Sequence, residues 1–573
     1  MNAITKFYKI RIFIIFIPFT IILCLILYRL FSIQILKHKA FQKIVNKQHH
    51  AKITIEPDRG IIYDCNMNPL VLNTKANSLF AIPSEIKNKK TTAYNLAPLI
   101  NESFSCIYKK INQPKKKFVW IKRKLNKDTE NNIQNLKIKG LHFVKETQRV
   151  YPHKTLACHI LGFVDIDNKG LSGIEKSLDS YIKGIPGWMI MEKDAQNQYF
   201  IPSKCKSKNP EGGYSLKLTI DLVIQYIVES ELDVIWEKFK PNSAFVIVMD
   251  PKSGKILAIS NRPNFDPNNS NFYPAYTWKN RAIIDIFEPG STMKMFLAAS
   301  ALNEKIFTPE EKIFCENGVY SIGRHKIHDH GKKYSWLTFT QVLAYSSNIG
   351  MVKIGTKLGK EKLYNCFFNF GFGQKTNLLL PGEMSGVLRK PNNWSSYSIS
   401  AISIGQEIGI TGIQLIKATS ILANNGILKE PYLVESVLDN ENHIIKEFVQ
   451  QKQEKQVEKQ ILSSQTINAI NKILQEVVIS GTGTKASLKY YSVAGKTGTS
   501  QKIDPNTGTY SNNKYISSFI GYVPSNDPQL VILVVVDEPK GAYYGGEVGA
   551  PSFKNIAYES LKHLKIIPSV SLK

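Results

Sequence analysis

The longest uninterrupted apolar stretch lies close to the N-terminus. Residues 12–28 carry no charge, and the apolar character resumes after Arg29 as far as Leu36. A helix of about 20 mostly apolar residues is long enough to cross a bilayer. The residues that follow offer no convincing small-residue cleavage site, so the pattern predicts an uncleaved anchor at 12–36, preceded by a short cytoplasmic N-terminus at 1–11. Basic residues flank both sides of the anchor, so the positive-inside rule does not settle its orientation.

Alternating apolar and polar positions predict strands near both ends of the remaining C-terminal region. The segment "SAFVIVMDPKSGKILAIS" at 243–260 has two runs rich in β-branched residues around a Pro-Lys-Ser-Gly turn, which is typical of a hairpin. "YISSFIGYVP" and "QLVILVVVDEP" form a second pair. Helical periodicity lies between the two pairs, including 287–302 and a helix from about Ile461 to Val478. This order predicts an α+β fold in which a central antiparallel sheet, closed by the two ends of the domain, packs against an α-helical lobe.

The region between the anchor and residue 218 differs in composition. It is rich in Lys and Asn, and no group of its polar side chains is arranged for chemistry. We expect residues 37–218 to form a non-catalytic spacer or docking domain, with the turn-forming "KNPEGG" at 208–213 near its end. A second domain is then predicted at 219–565, followed by a short tail at 566–573.

The formal charge of +28 comes from 74 basic and 46 acidic residues. Only nine of the basic residues are Arg, and the Lys are spread along the whole chain. Recognition of phosphates and bases favours the guanidinium group, so we expect no nucleic-acid partner. The seven Cys are widely separated and form no Cys-x-x-Cys pair, so they make no zinc or redox motif, and their oxidation state stays open.

One lysine, Lys294, lies within the apolar helical segment "FEPGSTMKMFLAASAL". Burial of an ammonium group lowers its pKa, and a neutral lysine is a base. Ser291 lies three residues earlier, on the same face of the predicted helix, which places a nucleophile beside a base. The Ser-x-x-Lys pattern alone is weak, because Ser84 with Lys87 repeats it in polar surroundings, as does Ser203 with Lys206. A lysine that extends from the edge of a core helix to water is the alternative.

Two further motifs make the catalytic interpretation much stronger. "AYSSNIG" contains Ser346-x-Asn348, and "VAGKTGTSQ" contains Lys496-Thr497-Gly498-Thr499. The order Ser-x-x-Lys, Ser-x-Asn, Lys-Thr-Gly is the motif set of the penicillin-recognising acyl-transfer enzymes.

In these motifs the chain resembles the penicillin-binding proteins, and more narrowly the high-molecular-weight class B transpeptidases. The resemblance extends over nearly the whole chain. "RGIIYDCNMNPL" and "QRVYPHKTLACHILGFVDIDNKGLSGIEKSLD" are similar to the family's pedestal, or dimerisation-like, segments, and "NRAIIDIFEPGSTMK" to its nucleophile region. "GKTGTSQK" and "YYGGEVGAPSFKNI" look most like the septal members. The chain departs from the family at Gly412, where Pro is usual, and at Cys65, where a charged residue is usual, and neither position bears on the chemistry.

The chemistry and the resemblance together imply a role for each catalytic residue. Ser291 would attack the carbonyl of a D-Ala-D-Ala stem peptide and form an acyl-enzyme. Lys294, if neutral, would accept the serine proton. Ser346 would relay a proton to the departing amine, and the carbonyl and NH₂ of Asn348 would bind Lys294 and a substrate amide. Lys496 would supply positive potential for the substrate carboxylate.

The same resemblance implies how substrate is bound. The backbone N–H groups of Ser291 and Thr499 would form the oxyanion hole, and the hydroxyls of Thr497 and Thr499 would donate hydrogen bonds to substrate. Gly498 would leave room for substrate to lie against its strand.

A histidine-rich loop needs separate consideration. His325, His328, Asp329 and His330 lie within six residues and could in principle hold a metal. A solvated loop near the cleft entrance fits them better, and acyl transfer by serine requires neither a metal nor another cofactor.

The resemblance implies a peptidoglycan D,D-transpeptidase of the division septum that takes stem pentapeptides as substrates and β-lactams as inhibitors. It also implies a single-pass protein of the inner membrane with a periplasmic catalytic domain, and a SEDS glycosyltransferase (FtsW) and other division proteins as partners. The alternatives are an elongation-type transpeptidase, a D,D-carboxypeptidase or β-lactamase of the same fold, and a division-complex scaffold. The acceptor amine of the cross-link stays open.

Overall fold

The computed structural model describes residues 2–39, 41, 50–113, 116, 118–193, 199–200, 207–323, 325–448, 459–504 and 507–568. These residues fall into two compact units. One consists of Met1–Pro57 with Ile185–Glu211, and the other of Asp58–Gly184 with Gly212–Lys573.

The first unit contains the apolar N-terminal helix. This α-helix spans Asn2–Phe31 and continues into a π-helical turn at Ser32–Leu36. The segment Lys6–Leu36 contains an 18-residue window with a mean hydropathy of 2.9 and, among the described residues, is the one helix long and apolar enough to cross a membrane. The predicted anchor therefore lies within a helix that begins about ten residues earlier than expected. A small antiparallel sheet completes the unit.

The strands of both units are numbered in chain order. They are β1 (His50–Ile55), β2 (Ile62–Tyr63), β3 (Pro69–Ala81), β4 (Val119–Leu125), β5 (Leu141–Val150), β6 (Gly187–Lys193), β7 (Tyr199–Phe200), β8 (Ser207–Lys208), β9 (Ser215–Leu218), β10 (Ser243–Met249), β11 (Ile256–Arg262), β12 (Lys312–Phe314), β13 (Val319–Ile322), β14 (His325–His328), β15 (Trp336–Thr338), β16 (Val434–Leu438), β17 (Ile444–Glu447), β18 (Ala494–Ile503), β19 (Tyr510–Val523) and β20 (Leu530–Asp537).

The α-helices of the second unit are referred to by their residue ranges. They are Lys89–Ile100, Phe104–Ile111, Lys127–Asn135, Cys158–Leu161, Gly173–Ser177, Asp179–Ile182, Leu222–Phe239, Arg281–Ile284, Lys294–Asn303, Phe339–Ala344, Asn348–Leu358, Lys360–Asn369, Ser398–Ser403, Gly412–Ala423, Ser464–Ile479, Gly545–Val548 and Ala550–His563.

The part of the second unit before residue 185 is built on β3, which pairs with β4 and β5. Near it lies a buried ionic cluster. The Glu175 carboxylate accepts from Arg59 Nε and from Arg149 Nε, each at 2.6 Å, and Arg59 also contacts Asp179 at 2.7 Å. Glu175 is fully buried, and both arginines are at most 5 % exposed.

The later part of the unit is centred on a five-stranded antiparallel sheet with the order β11-β10-β20-β19-β18. Its two hairpins are those that the alternation pattern predicts, and β10 pairs with β20, so strands from both ends of the domain close the sheet. All seven residues of β10 are buried. Phe245 and Ile247 belong to the hydrophobic core that includes the helix Lys294–Asn303, whereas Val246 and Val248 belong to the core formed with the helices Leu222–Phe239 and Ala550–His563.

Two predicted helices begin later than the sequence indicated. The helix expected from Ile461 begins at Ser464, because the Ser463 hydroxyl caps it by accepting the Thr466 N–H. The helix expected just after the Pro-Gly turn at 289–290 starts with a 3-10 turn at Gly290–Met293, and its α-helix begins at Lys294. Gly290 has φ +56°, a left-handed conformation that explains why a regular helix does not start before it.

Candidate active site

Lys294 is the first residue of its α-helix and is fully buried. Its Nζ atom donates to the Ser346 carbonyl at 2.8 Å and to Asn348 Oδ1 at 2.6 Å, and it lies 3.3 Å from Ser346 Oγ. Burial lowers the pKa of Lys294 to about 7, and the negative charge of Asp329 opposes this shift. The predicted neutral base is therefore accessible near neutral pH.

Ser291 lies in the 3-10 turn just before this helix, half-buried and on the wall of an open cleft. In the part of the chain that the structure describes, its hydroxyl has no hydrogen-bond partner, and Lys294 Nζ is bound by the Ser346 turn instead. The i, i+3 spacing thus brings the two residues to the same site without joining their side chains. This leaves the Ser291 hydroxyl free to meet a ligand in the cleft.

Ser346 connects the helices Phe339–Ala344 and Asn348–Leu358. Its φ of +60° is left-handed, which is unusual for a residue with a side chain and costs on the order of 1 kcal/mol. Both its carbonyl and its hydroxyl contact Lys294 in this conformation.

Lys496 lies on β18, the edge strand of the sheet, and is also fully buried. Its Nζ atom donates to Ser346 Oγ at 3.0 Å, so the Ser346 hydroxyl lies between two lysines that are far apart in sequence. Burial and the charge of Lys294 hold the pKa of Lys496 well below its usual range. The site therefore disfavours two ammonium groups at the same time.

Gly498 is also required by the packing around its strand. A Cβ atom at this position would lie 2.3 Å from Ser518 Oγ, 2.8 Å from Thr292 Cγ2 and 3.1 Å from the Pro289 carbonyl. The glycine therefore allows β18 to pack against the turn that carries Ser291, and its predicted role toward substrate stays a prediction.

The two threonines of the third motif line the cleft. Thr497 Oγ1 lies 2.7 Å from Thr482 Oγ1, and Thr499 Oγ1 accepts the Gly545 N–H at 3.1 Å. Because the Thr499 hydroxyl acts as an acceptor toward the protein, its own hydrogen is available to donate.

The cleft has a volume of roughly 610 Å³, within the range of small-molecule sites. Of the predicted residues, Ser291, Ser346, Asn348, Thr497 and Thr499 line it, while the two lysines are buried beneath the surface. Sequence reasoning assigned no site role to several other lining residues, namely Tyr334, Tyr345, Thr482, Tyr515, Tyr543 and Tyr544. Tyr515 and Tyr543 stack with ring centroids 4.5 Å apart. The Tyr-Tyr-Gly-Gly run was the sequence feature that could have indicated a site role for Tyr543 and Tyr544.

The described side chains of the histidine-rich loop have partners other than one another. The Asp329 carboxylate accepts hydrogen bonds from Ser347, Asn348 and Ile349, and the His325 ring lies 4.4 Å from that of Tyr397. Within the described residues, no group of three or more His, Cys, Asp or Glu could hold a metal ion. Asp329 and His330 do line the cleft.

Comparison with known proteins identifies both parts of the chain. Residues 54–218 match the penicillin-binding protein dimerisation domain, and residues 244–558 match the penicillin-binding protein transpeptidase domain. Stage V sporulation protein D of Bacillus subtilis is 34% identical over 94% of this chain and 83% of its own length. Peptidoglycan D,D-transpeptidase FtsI of Escherichia coli K12 is 30% identical over 90% and 85%. The crystal structure of penicillin-binding protein 2X from Streptococcus thermophilus aligns with a TM-score of 0.72 and 26% identity, over 89% of this chain and 80% of that one.

Proposed function

The chain belongs to the class B penicillin-binding proteins, which combine a dimerisation domain with a transpeptidase domain, and we propose that it cross-links peptidoglycan through an acyl-enzyme on Ser291. The observation that carries this proposal is the position of the Ser346 hydroxyl, 3.3 Å from Lys294 Nζ and 3.0 Å from Lys496 Nζ. The unbound Ser291 hydroxyl opens onto the cleft beside this arrangement.

In the proposed reaction, Ser291 Oγ forms a bond to the carbonyl carbon of the penultimate D-Ala. Its proton passes to neutral Lys294, and Ser346 carries a proton on to the nitrogen of the terminal D-Ala as the C–N bond breaks. An acceptor amine then attacks the acyl-enzyme by the reverse route, which releases Ser291 with its proton restored.

Substrate binding would use the edge of the sheet. Because β18 has a neighbouring strand on one side only, its outward backbone groups can pair with an extended peptide. We propose that the Ser291 and Thr499 N–H groups stabilise the oxyanion, and that the Thr497 and Thr499 hydroxyls help to hold the substrate carboxylate. A carboxylate that approaches Lys496 would raise the pKa of this lysine and so favour the charged form that binds it.

A fluorescent penicillin tests the nucleophile directly. We expect the full-length protein in detergent to be labelled covalently and Ser291→Ala to abolish the labelling. Ser84→Ala is a matched control, because Ser84 also precedes a lysine by three residues but is exposed in the pedestal segment. Labelling of the Ser291→Ala protein would refute the assignment. A label released by water within seconds would instead indicate a β-lactamase or carboxypeptidase.

We further propose a septal role, supported by the FtsI name of relatives at 30–33% identity. On this proposal the N-terminal helix anchors a periplasmic catalytic domain at 219–565 above a pedestal at 37–218, and FtsW and other division proteins are partners. Depletion in a rod-shaped host should give filaments of normal width. Round, swollen cells would point to the elongation enzyme, and growth supported by Ser291→Ala would favour a scaffold.

A further inference from the structure

The Asp329 carboxylate is bound to the turn that carries the second motif. Its Oδ1 atom accepts from the backbone N–H groups of Asn348 at 2.6 Å and Ile349 at 3.1 Å, and the Ser347 hydroxyl donates to its Oδ2 atom at 2.9 Å. The first N–H groups of a helix have no partner inside that helix. One carboxylate from a distant loop therefore satisfies the start of the helix Asn348–Leu358.

The residue before Asp329 adds a second contact. Asn348 Nδ2 donates to the His328 carbonyl at 2.9 Å, while its Oδ1 atom accepts from Lys294 at 2.6 Å. An acceptor on one side and a donor on the other fix the orientation of this side-chain amide. The pair His328 and Asp329 therefore holds both the backbone and the side chain of Asn348.

We propose that Asp329 is a positioning residue for acyl transfer, which holds the turn at 345–348 so that Ser346 and Asn348 keep Lys294 beside the nucleophile. The inference rests on the proposed roles of Ser291 and Lys294. Asp329 acts through Ser347 and Asn348, and its contacts stabilise a turn in which Ser346 is left-handed at φ +60°. Such a conformation persists only where its surroundings enforce it.

The charge of Asp329 provides a second effect on the same base. Among the described residues, three titratable groups interact electrostatically with Lys294. Asp329 and His330 belong to the loop after β14, and Lys496 belongs to β18. The adjoining helices present Tyr345, Ser346 and Asn348. Asp329 is the acid in this group and opposes the lowering of the Lys294 pKa by burial. Its removal would therefore favour the neutral lysine while loosening the turn.

These two effects can be separated by measuring how the rate of acylation by a fluorescent penicillin depends on pH, using the full-length protein in detergent. Asp329→Asn should lower the plateau rate roughly tenfold and move the midpoint of the acid limb to lower pH. Asp329→Glu retains the charge in altered geometry, so its plateau should fall while its midpoint stays near that of the wild type. Ser347→Ala removes one hydrogen bond to the carboxylate and should behave like Asp329→Glu, with a smaller loss.

Asp439→Asn is the matched control. Asp439 accepts the Glu441 and His443 N–H groups at 2.8 and 2.9 Å in the turn between β16 and β17, so it also caps a turn, but it lies outside the cleft. We expect the plateau acylation rate of Asp439→Asn and the midpoint of its acid limb to equal those of the wild type. The inference is overturned if Asp329→Asn keeps both values, or if its rate falls only in proportion to the unfolded fraction with an unmoved midpoint. If the wild type is not labelled, or Ser291→Ala is, the proposed function fails first and the inference fails with it.

Discussion

Two regions of this molecule that bury charged side chains differ in what surrounds those charges. In the pedestal segment, Glu175 lies between Arg59 and Arg149 with both N–O distances at 2.6 Å. In the cleft, Lys294 and Lys496 are fully buried, and within the described residues neither contacts a carboxylate.

The two regions therefore respond to burial in opposite ways. Burial alone lowers the pKa of Arg59, but the charge of Glu175 and the hydrogen bonds to Asp179 and Glu175 reverse the shift and raise it. Burial lowers the pKa values of the two lysines, and their hydroxyl and carbonyl partners carry no charge that would reverse the shift. Burial by itself therefore does not show whether a charged side chain is structural or catalytic. Removing one partner of a buried ion pair destabilises the fold, whereas a buried lysine without a carboxylate partner can become neutral and act as a base.

The largest expected effect comes from removing the proposed base. Lys294→Met should slow acylation by penicillin by roughly 10² to 10⁴-fold, because the proposed general base is lost. The thermal midpoint should not fall, since an apolar side chain of similar length replaces a buried amine. Lys417→Met is the comparison variant, because Lys417 is also buried but contacts Glu430 at 2.8 Å. Lys417→Met should lose stability and keep its acylation rate. If Lys417→Met instead slowed acylation while Lys294→Met lost only stability, the contrast between paired and unpaired buried charges would be wrong.

Removing the paired carboxylate should affect stability instead of chemistry. Glu175→Ala leaves buried Arg149 without its acid and leaves Arg59 with Asp179 alone, which is expected to cost about 3 to 5 kcal/mol of unfolding free energy. Thermal denaturation measures this loss, and the acylation rate per folded molecule should remain that of the wild type. Glu102→Ala removes a partly exposed contact to Lys110 and should cost about 1 kcal/mol or less. Equal losses for the two variants would show that pairing in the buried cluster contributes little.

The smallest effect is a pH dependence of stability that is expected from the unpaired lysines and, for Lys294, can be isolated by comparison with Lys294→Met. The folded pKa of Lys294 is about 7, below its unfolded value, so between pH 7 and about 10 the unfolded chain binds one more proton at this site. Unfolding free energy should therefore rise with pH by about 1.4 kcal/mol per unit from this group. Any stability advantage of Lys294→Met at pH 7.5 should shrink as the pH rises toward 9. A constant difference would mean that Lys294 stays charged in the folded protein.

The same pKa predicts the acid limb of the reaction. The neutral form of Lys294 is lost as the pH falls through about 7, so the acylation rate should decrease by about tenfold per unit below it. A rate that is flat from pH 8 to pH 5 would place the base elsewhere.

The sequence was sufficient to predict the sheet and the motif residues, but it did not predict their contacts. Alternation in 243–260 and 515–539 predicted the two hairpins, and the order of the three motifs predicted which serines and lysines converge. The bonds of Lys294 to a turn more than fifty residues away depend on the left-handed backbone at Ser346, which no local pattern indicates. The sequence suggests a solvated loop for Asp329, because the groups that donate hydrogen bonds to its carboxylate lie in a separate helix and the local pattern does not indicate them.

Gly498 shows the same limit. Its sequence context suggested that a side chain would obstruct a ligand, and the structure adds that a side chain would also obstruct Thr292 and Pro289. A glycine between two threonines gives no sign of this packing. It depends on which element packs behind the strand, and this is a property of the tertiary fold.

The pairing of β10 with β20 has a consequence for biosynthesis. Ser243 lies opposite Asp537, so the central strand of the sheet reaches its place only after almost the entire domain has been made. Ser291 is synthesised long before β18 and β20, and until β20 has been made one edge of β10 lacks its pairing strand. Such an intermediate is prone to aggregation and invites chaperone binding. A truncated nascent chain that ends before Leu530 would carry the nucleophile yet remain insensitive to penicillin, so covalent labelling in pulse-chase experiments would count only completed molecules.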